Sequence, residues 1–204
     1  YRRQRQMCIR DRTKFAMVSK YLFAGNVMPS LLLIDGSNYL YRAYHGLPDL
    51  RTSQGEPTGA IKGFLNMLQM VRNMVNPDFA ACIFDAHGPT FRNTIYSDYK
   101  ANRPPMPQDL AQQVEPIFQM VKALGWPFLQ IPGIEADDVI GTLASQAQES
   151  GIKVFIATGD KDMSQLVNDN VVIINTMTKQ VLDPDGVKEK LSLIHISEPT
   201  RLLS

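Results

Sequence analysis

The sequence predicts an α/β fold in which a parallel β-sheet is covered by helices on both faces. Short apolar runs recur along the chain, amphipathic segments lie between them, and acidic residues follow the ends of the runs. Apolar runs of about four to eight residues are typical of strands that are buried on both faces. Strands that alternate with helical patterns favour a parallel sheet. At 204 residues, the chain has the length of one ordinary domain.

Five segments have the apolar character of buried strands. The first two, at 30–35 and 79–85, read SLLLID and FAACIFD, so each apolar run ends in an aspartate. Three further strands are predicted at 127–131, 153–158 and 171–175. Their alternation with amphipathic segments places all five in one sheet.

Helical periodicity separates these strands. Apolar side chains recur at a spacing of about 3.6 residues in 58–76, and a proline follows this segment. Further helices are predicted at 108–124 and 136–150, and a glycine follows each of them as a stop signal. A short helix is predicted near 163–166. Residues 86–107 are a polar, basic connector that contains several prolines.

The composition excludes several classes of protein. With 44% hydrophobic and 20% charged residues, the chain is too ordinary in composition for intrinsic disorder. No apolar run approaches the ~20 residues that a membrane-spanning helix needs. Two cysteines, Cys8 and Cys82, make no disulfide framework and point to a reducing compartment.

The two ends of the chain are predicted not to be natural sequence. Residues 7–12 can be back-translated into DNA whose reverse complement encodes residues 191–196, as expected of inverted terminal repeats. Such repeats resemble the transposon-end adapters that are used to build sequencing libraries. We therefore expect residues 1–12 and 191–204 to be translated adapter and exclude them from the prediction of the fold.

Excluding the ends changes the charge and the expected start of the protein. Residues 13–28 are interpreted as an extension of uncertain extent, with translation starting at Met17 or Met28. Residues 13–190 carry 15 basic and 18 acidic groups, a net charge of −3. Overall charge therefore gives no support to a nucleic-acid partner, which only the distribution of charges can indicate.

Acidic residues follow the ends of four predicted strands. They are Asp35, Asp85, Glu135, Asp137, Asp138, Asp160 and Asp162. Because the carboxyl ends of parallel strands meet at one edge of a sheet, we expect these carboxylates to gather there. Like-charge repulsion would raise their pKa values unless cations neutralise them, and carboxylate oxygens suit Mg²⁺ or Mn²⁺. Two ions about 3.5–4 Å apart suit in-line displacement at phosphorus, although Asp138 or Asp162 alone is better interpreted as a helix cap.

Basic and aromatic residues accompany the acids in two clusters, one after the first strand and one after the second. The clusters comprise Tyr39, Tyr41, Arg42, Tyr44 and His45, and then Phe91, Arg92, Tyr96, Tyr99, Lys100 and Arg103. Arginine and lysine hold phosphates, and tyrosine stacks on unpaired bases. Solvated loops often have the same composition, so only the position beside the carboxylates favours a nucleic-acid site.

Together these motifs resemble the 5′→3′ exonuclease, or flap endonuclease, domain of bacterial DNA polymerase I. The resemblance runs from about residue 29 to residue 190 and implies a partial domain of that kind. It is carried by LIDGSNYLYRAYH at 33–45, FDA at 84–86, YKANRPPMP at 99–107, GIEADDVIG at 133–141 and ATGDKDM at 157–163. It implies a Rossmann-like, PIN-like nuclease core.

The resemblance also implies roles for individual residues. All seven acids are expected to ligate Mg²⁺ or Mn²⁺, with two or more ions in the complete domain. Arg42, Lys100 and Arg103 are expected to contact the scissile or adjacent phosphates. Tyr99 is expected to stack near the end of the substrate, and Arg92 and Tyr39 are expected to bind DNA.

The expected substrate is DNA with a 5′ end or flap, cut by a cytoplasmic, nucleoid-associated protein. The family continues with a GDxxDN segment, a helix–hairpin–helix and a polymerase domain, all of which are expected beyond Lys190. Three alternatives stay open: a PIN-like ribonuclease, a phosphatase that uses Asp35 as nucleophile, and a DNA-binding fragment without activity. The phosphatase would require a second acid two residues after Asp35, where Ser37 stands.

Overall fold

A six-stranded sheet, in the order β3-β2-β1-β4-β5-β6, forms the centre of the fold. The structure is a computed structural model and describes residues 28–96, 98–102, 104–176, 178 and 180–187. In chain order the strands are β1 (Ser30–Asp35), β2 (Phe79–Phe84), β3 (Phe128–Gln130), β4 (Lys153–Ala157), β5 (Val171–Asn175) and β6 (Gln180–Leu182). Strands β1 to β5 run parallel, which confirms the sequence prediction.

Strand β6 is an antiparallel edge strand that the sequence analysis did not predict. It pairs antiparallel with β5, with Asn175 opposite Gln180. Only residues 176–179 connect the two strands, whereas a parallel return needs a crossover of about a dozen residues or more. A short connection therefore dictates an antiparallel edge strand.

Helices cover both faces of the sheet. They are α1 (Gly36–Gly46), α2 (Gly59–Val75), α3 (Phe91–Ile95), α4 (Gln108–Ala123) and α5 (Ala136–Glu149), with a 3₁₀ turn at Asp162–Leu166. Within β1, Leu32 and Ile34 belong to a core with α1, α2 and α4, whereas Leu31 and Leu33 belong to a core with α5. This alternation follows from the opposite orientation of successive side chains in a strand. Periodicity predicted α2, α4 and α5, but the sequence analysis assigned no helix to α1 or α3.

Helix α1 follows β1 without a connecting loop. Asp35 is its N-cap, and the Asp35 carboxylate accepts a hydrogen bond from the backbone N–H of Asn38 at 2.9 Å. The first helical residue, Gly36, lies so close to the Phe84 ring that a Cβ there would be 2.4 Å from a ring carbon. A glycine is therefore required where the chain turns from strand to helix.

The position of Tyr39 in α1 corrects its predicted role. Tyr39 has no exposed surface, and the edge of its ring packs against Phe64 with centroids 6.0 Å apart. Tyr39, Leu40 and Ala43 are buried together because their helical spacing puts them on the face of α1 that meets the sheet. A fully buried ring cannot stack on a base, so the prediction that Tyr39 binds DNA is wrong.

Several sequence predictions concern residues outside the described ranges. They are the adapter-derived ends, most of the N-terminal extension, and Arg103. Among the described residues, no helix has the length and apolar character needed to cross a membrane.

Candidate active site

The carboxyl ends of the parallel strands bring the acids together, beginning with Asp35 at the end of β1. Asp35 is buried, with 3% of its surface exposed. Its Oδ1 accepts a hydrogen bond from the backbone N–H of Asn38 at 2.9 Å, and its Oδ2 accepts one from the Thr158 hydroxyl at 2.7 Å. Burial raises the pKa of Asp35 from 3.8 to about 6; the charges of Asp137 and Asp85 add to the rise, and the hydrogen bonds oppose it.

Asp85, which follows β2, is fixed by three hydrogen bonds. Its backbone N–H donates to Ser37 Oγ at 2.8 Å, and its carbonyl oxygen accepts from Gln130 Nε2 at 2.7 Å. Its Oδ1 accepts from the backbone N–H of Ala136 at 2.7 Å. Because Ala136 is the first residue of α5, the positive end of that helix dipole also faces the Asp85 carboxylate.

Asp137 and Asp160 lie in the same field of negative charge. Partial burial raises the pKa of Asp137, and the charges of Asp160 and Asp85 add to the rise. Asp160 Oδ1 accepts a hydrogen bond from the backbone N–H of Asp162 at 2.9 Å. We refer to Asp35, Asp85, Asp137 and Asp160 as the central acids.

Glu135 and Asp138 are also at this edge but pair with cations, and we refer to them as the paired acids. Glu135 Oε1 accepts from Lys100 Nζ at 2.7 Å, and Glu135 Oε2 accepts from the Tyr99 hydroxyl at 3.1 Å. Arg92 binds Asp138 through two hydrogen bonds of 2.5 and 2.8 Å and reaches Glu135 Oε2 at 3.3 Å. The Arg92 guanidinium holds the pKa of Asp138 below its usual range.

Two of the residues that face the paired acids, Tyr99 and Lys100, line a cavity that Asp85 also lines. The cavity has a volume of about 420 Å³, and its walls include Asp85, Tyr99, Lys100 and Glu135. Lys100 has φ = 59°, a left-handed backbone conformation that costs a residue with a side chain about 1–3 kcal/mol. The fold therefore keeps a lysine with a strained backbone in the wall of a cavity that Asp85 and Glu135 also line.

Arg42 and Asp162 lie at the margin of the site. The Arg42 guanidinium donates to Asn175 Oδ1 at 3.2 Å and to the carbonyl of Gly159 at 3.4 Å. A Cβ at Gly159 would lie 1.7 Å from Arg42 Nη2, so this glycine makes room for the arginine. Asp162 begins the 3₁₀ turn with an exposed side chain, and its role as a metal ligand stays a prediction.

The donor chemistry of the central acids fits a divalent cation. Their oxygens are the hard ligands that Mg²⁺ and Mn²⁺ prefer. The pKa values of Asp35 and Asp137 are raised first by burial and then by the neighbouring carboxylates, and a bound cation would offset both effects. Within the ranges that the structure describes, however, no three His, Cys, Asp or Glu side chains converge closely enough to enclose an ion. An ion bound here would therefore have to draw carboxylates together.

Sequence reasoning missed the neutral residues that fix the acids. Thr158 bonds Asp35, and the side chain of Asn38 accepts a hydrogen bond from the backbone N–H of Gly159 at 3.1 Å. Ser37 likewise fixes the backbone of Asp85. The motifs GSN and TGD contain these residues, but only their position two or three residues from an acid in the sequence could have suggested a role.

Carboxylates and basic side chains cluster at the carboxyl edge of this open α/β sheet. Such an edge is where proteins of this class bind their ligands. The model of the family described as 5′-3′ exonuclease, N-terminal resolvase-like domain matches residues 30–192. The chain belongs to this family.

Curated relatives support the assignment. The chain is 56% identical over 163 residues to DNA polymerase I of Pseudomonas aeruginosa, a match that covers 80% of this chain and 18% of that protein. It is 43% identical over 166 residues to the 5′-3′ exonuclease of Aquifex aeolicus, covering 81% of this chain and 57% of that protein. The chain thus spans less than two thirds of the length of either relative.

Solved structures share the fold. A bacteriophage T5 protein that was co-crystallised with metal ions has a TM-score of 0.66 at 17% identity, over 79% of this chain and 60% of that one. The T5 flap endonuclease in a complex with DNA and metal ions has a TM-score of 0.64 at 16% identity, with the same coverage. These similarities confirm the predicted α/β fold.

Proposed function

We propose that this chain is the catalytic part of a metal-dependent 5′→3′ exonuclease and 5′-flap endonuclease that acts on DNA. The observation that carries the proposal is the set of central acids at the carboxyl edge of the sheet, where the paired acids hold Lys100, Arg92 and Tyr99 at the same edge. Such a site joins ligands for a cation to side chains that hold phosphate. The proposal extends to a bacterial cytoplasmic protein that works on the nucleoid and has a polymerase domain after this one.

The central acids would hold Mg²⁺ or Mn²⁺, with the paired acids and Asp162 as further ligands in the complete domain. A bound divalent ion supplies an activated water and neutralises charge on the phosphate that reacts. Asp35 is fixed by Asn38 and Thr158, so its oxygens are oriented before an ion arrives. Rigid support of this kind is what a catalytic site needs from its surroundings.

The basic side chains would position the DNA. The Lys100 ammonium group donates a hydrogen bond to Glu135, and both residues line the cavity. A phosphate oxygen in the cavity would be an alternative acceptor for the ammonium group. Arg42 and Arg103 would hold neighbouring phosphates, and Tyr99 would meet the terminal base. Cations beside a phosphate that gains negative charge in the transition state lower the barrier to its cleavage.

Single-turnover cleavage of a 5′-labelled flap DNA tests the proposal. Two proteins are needed: the 204-residue chain and a chimera in which residues 29–190 are followed by the continuation of the P. aeruginosa relative. We expect the chimera to cut the flap with Mg²⁺ or Mn²⁺ and not with EDTA. We expect the 204-residue chain to cut poorly, since acids and a duplex-binding motif are expected beyond Lys190.

Variants of the chimera separate binding from chemistry. Lys100→Ala should slow the single-turnover rate more than it weakens DNA binding, whereas Lys62→Ala, on the exposed side of α2, should change neither. Cleavage of RNA but not DNA by the chimera would favour the ribonuclease alternative. A chimera that binds flaps and never cuts them with either ion would refute the proposed activity.

A further inference from the structure

A buried hydroxyl joins the two strand ends on which Asp35 and Asp160 lie. Thr158, directly after β4, has no exposed surface. Its hydroxyl donates to Asp35 Oδ2 at 2.7 Å and accepts from the backbone N–H of Asp160 at 3.0 Å. One side chain therefore forms hydrogen bonds with the carboxylate of one acid and with the backbone of another, although the two acids follow different strands.

The hydroxyl of Thr158 is the only side-chain group among the described hydrogen-bond partners of Asp35. The other oxygen, Oδ1, is held by the backbone N–H of Asn38, so the two bonds together fix the plane of the carboxylate. Each bond leaves a lone pair on its oxygen for a further ligand. The bond from Thr158 also favours the charged form of a carboxylate whose pKa is raised by burial.

The segment that begins at Thr158 is braced from α1 as well. The backbone N–H of Gly159 donates to Asn38 Oδ1 at 3.1 Å, and the carbonyl of Gly159 accepts from Arg42 at 3.4 Å. These contacts hold the backbone between Thr158 and Asp160 but do not touch a carboxylate. Thr158 alone among these side chains bonds both the acid of β1 and the segment that carries Asp160.

We propose that Thr158 is a positioning residue that couples Asp35 to Asp160, so that the central acids bind a divalent ion as a unit. The inference rests on the proposed function only in requiring that the central acids bind such an ion. Thr158 itself would not touch the ion or the DNA. Its hydroxyl matters because one oxygen both donates to Asp35 and accepts from the backbone N–H of Asp160, and a methyl group can do neither.

Calorimetric titration of the full chain with Mn²⁺ tests the inference, using Thr158→Val and Thr158→Ser. Valine keeps the volume and loses the hydroxyl, whereas serine keeps the hydroxyl. A hydrogen bond to a charged group is worth enough that its loss should weaken Mn²⁺ binding by about tenfold or more in Thr158→Val. Thr158→Ser should bind Mn²⁺ within about threefold of the unaltered chain, although it lacks a buried methyl group.

Thr176→Val is the matched control for deleting a buried threonine hydroxyl. Thr176 is 3% exposed, and its hydroxyl neighbours that of Tyr39 without meeting hydrogen-bond geometry to any described residue. We expect Thr176→Val to keep the Mn²⁺ affinity of the unaltered chain. Thermal unfolding with EDTA checks that every variant is folded; if Thr158→Val is not, Thr158→Ala makes the same comparison.

The outcomes distinguish this inference from the proposed function. If the folded variant without the hydroxyl binds Mn²⁺ as tightly as the unaltered chain, Thr158 is no positioning residue. The same conclusion follows if Thr158→Ser loses as much affinity as Thr158→Val, because the hydroxyl would then not be the cause. If the unaltered chain binds no Mn²⁺ at all, the ion site fails and the proposed function fails with it.

Discussion

The central acids and the paired acids share one edge of the sheet but differ in what faces them. The described hydrogen bonds to the carboxylates of Asp35, Asp85 and Asp160 come from backbone N–H groups and the Thr158 hydroxyl, all of them neutral. Glu135 and Asp138 instead accept from Lys100 and Arg92. Burial, with help from neighbouring carboxylates, raises the pKa values of Asp35 and Asp137, whereas the hydrogen bonds from Arg92 lower that of Asp138.

The difference shows where a cation is needed. The paired acids already have positive partners from the same chain. A bound ion would therefore stabilise them little unless Lys100 and Arg92 move away. Among the central acids, Asp35 and Asp137 carry their negative charge where water is partly excluded, which is costly unless a cation arrives. The same difference gives the lysine and arginine a second use, because a phosphate could replace the carboxylates that they now bind.

The largest expected effect is on the pH dependence of stability through Asp35. The pKa of Asp35 is about 6 in the folded protein against 3.8 ordinarily, so the folded state binds the extra proton between these values. The free energy of unfolding therefore falls as pH rises from about 4 to about 6, and the full penalty of about 3 kcal/mol applies above that. In denaturant unfolding with EDTA, the free energy of unfolding of Asp35→Asn should rise relative to that of the unaltered chain by about this much between pH 4 and pH 7.

Asp138→Asn should show the opposite slope. Hydrogen bonds from Arg92 lower the pKa of Asp138. The pair therefore stabilises the unaltered chain at pH values above the ordinary pKa of an aspartate, and this stability is lost as the pH falls through the lowered pKa. The advantage of the unaltered chain over Asp138→Asn should thus shrink in acid. If the difference between Asp35→Asn and the unaltered chain does not depend on pH, the buried charge of Asp35 is compensated and the central acids are wrongly distinguished.

Neighbouring substitutions at Asp137 and Asp138 test the division directly. At an ion concentration about 100 times the dissociation constant, binding should stabilise the unaltered chain by about 2.7 kcal/mol. Asp137→Asn should lose most of this gain but be more stable with EDTA, because repulsion from Asp160 and Asp85 is relieved. Asp138→Asn should keep more of the gain and lose about 1 kcal/mol with EDTA, since Arg92 loses its partner.

Thermal unfolding with EDTA and with excess Mg²⁺ measures both variants. The unaltered chain in NaCl of equal ionic strength controls for screening of surface charges. Equal losses of the ion-induced gain at the two positions would mean that the central and paired acids act alike toward the ion.

Lys100→Met should have a smaller effect, which should strengthen Mn²⁺ binding but slow flap cleavage. Without the ammonium group, Glu135 Oε1 loses its hydrogen bond from Lys100 and the local potential becomes more negative, so the Mn²⁺ dissociation constant should fall about three- to tenfold. Flap cleavage by the chimera should nevertheless slow, because a phosphate loses its cation. Lys62→Met is the control on the same chain. Weaker ion binding by Lys100→Met would contradict competition between the lysine and the ion.

The smallest expected effect is that of removing the two ends. Residues 1–12 and 191–204 are predicted to be translated adapter, so their deletion should leave the melting temperature and the ion-induced gain unchanged or slightly higher. Differential scanning calorimetry of the trimmed chain makes the measurement. A large loss of melting temperature would count against the adapter origin of these residues.

The sequence predicted the sheet and the position of the acids because both depend on local patterns. Each buried strand is a continuous apolar run, and an acid directly after such a run must lie at the carboxyl edge. Asp35 and Asp85 were therefore placed correctly without any knowledge of tertiary contacts. Helix α1 was missed because Gly36, Ser37 and Asn38 favour loops, whereas the Asp35 cap and the packing of Gly36 on Phe84 stabilise a helix here.

The partner of each acid was not predictable in the same way. Arg92 and Asp138 are 46 residues apart, and Thr158 and Asp35 are 123 apart, so their contacts arise only when the sheet brings the strands together. Tyr39 illustrates the opposite error, since an aromatic residue near the acids was interpreted as a DNA contact. Its spacing with Leu40 and Ala43 indicated a buried helical face instead.

Proton release on ion binding tests the central claim most directly. If the central acids hold a divalent ion, binding must deprotonate Asp35, whose pKa of about 6 leaves it about half protonated at pH 6. Calorimetric titration with Mn²⁺ at pH 6, in two buffers with different ionisation enthalpies, should reveal the release of about half a proton per ion. Asp35→Asn should abolish this release. Mn²⁺ binding without proton release, or no binding at all, would contradict the account of the central acids as a cation site.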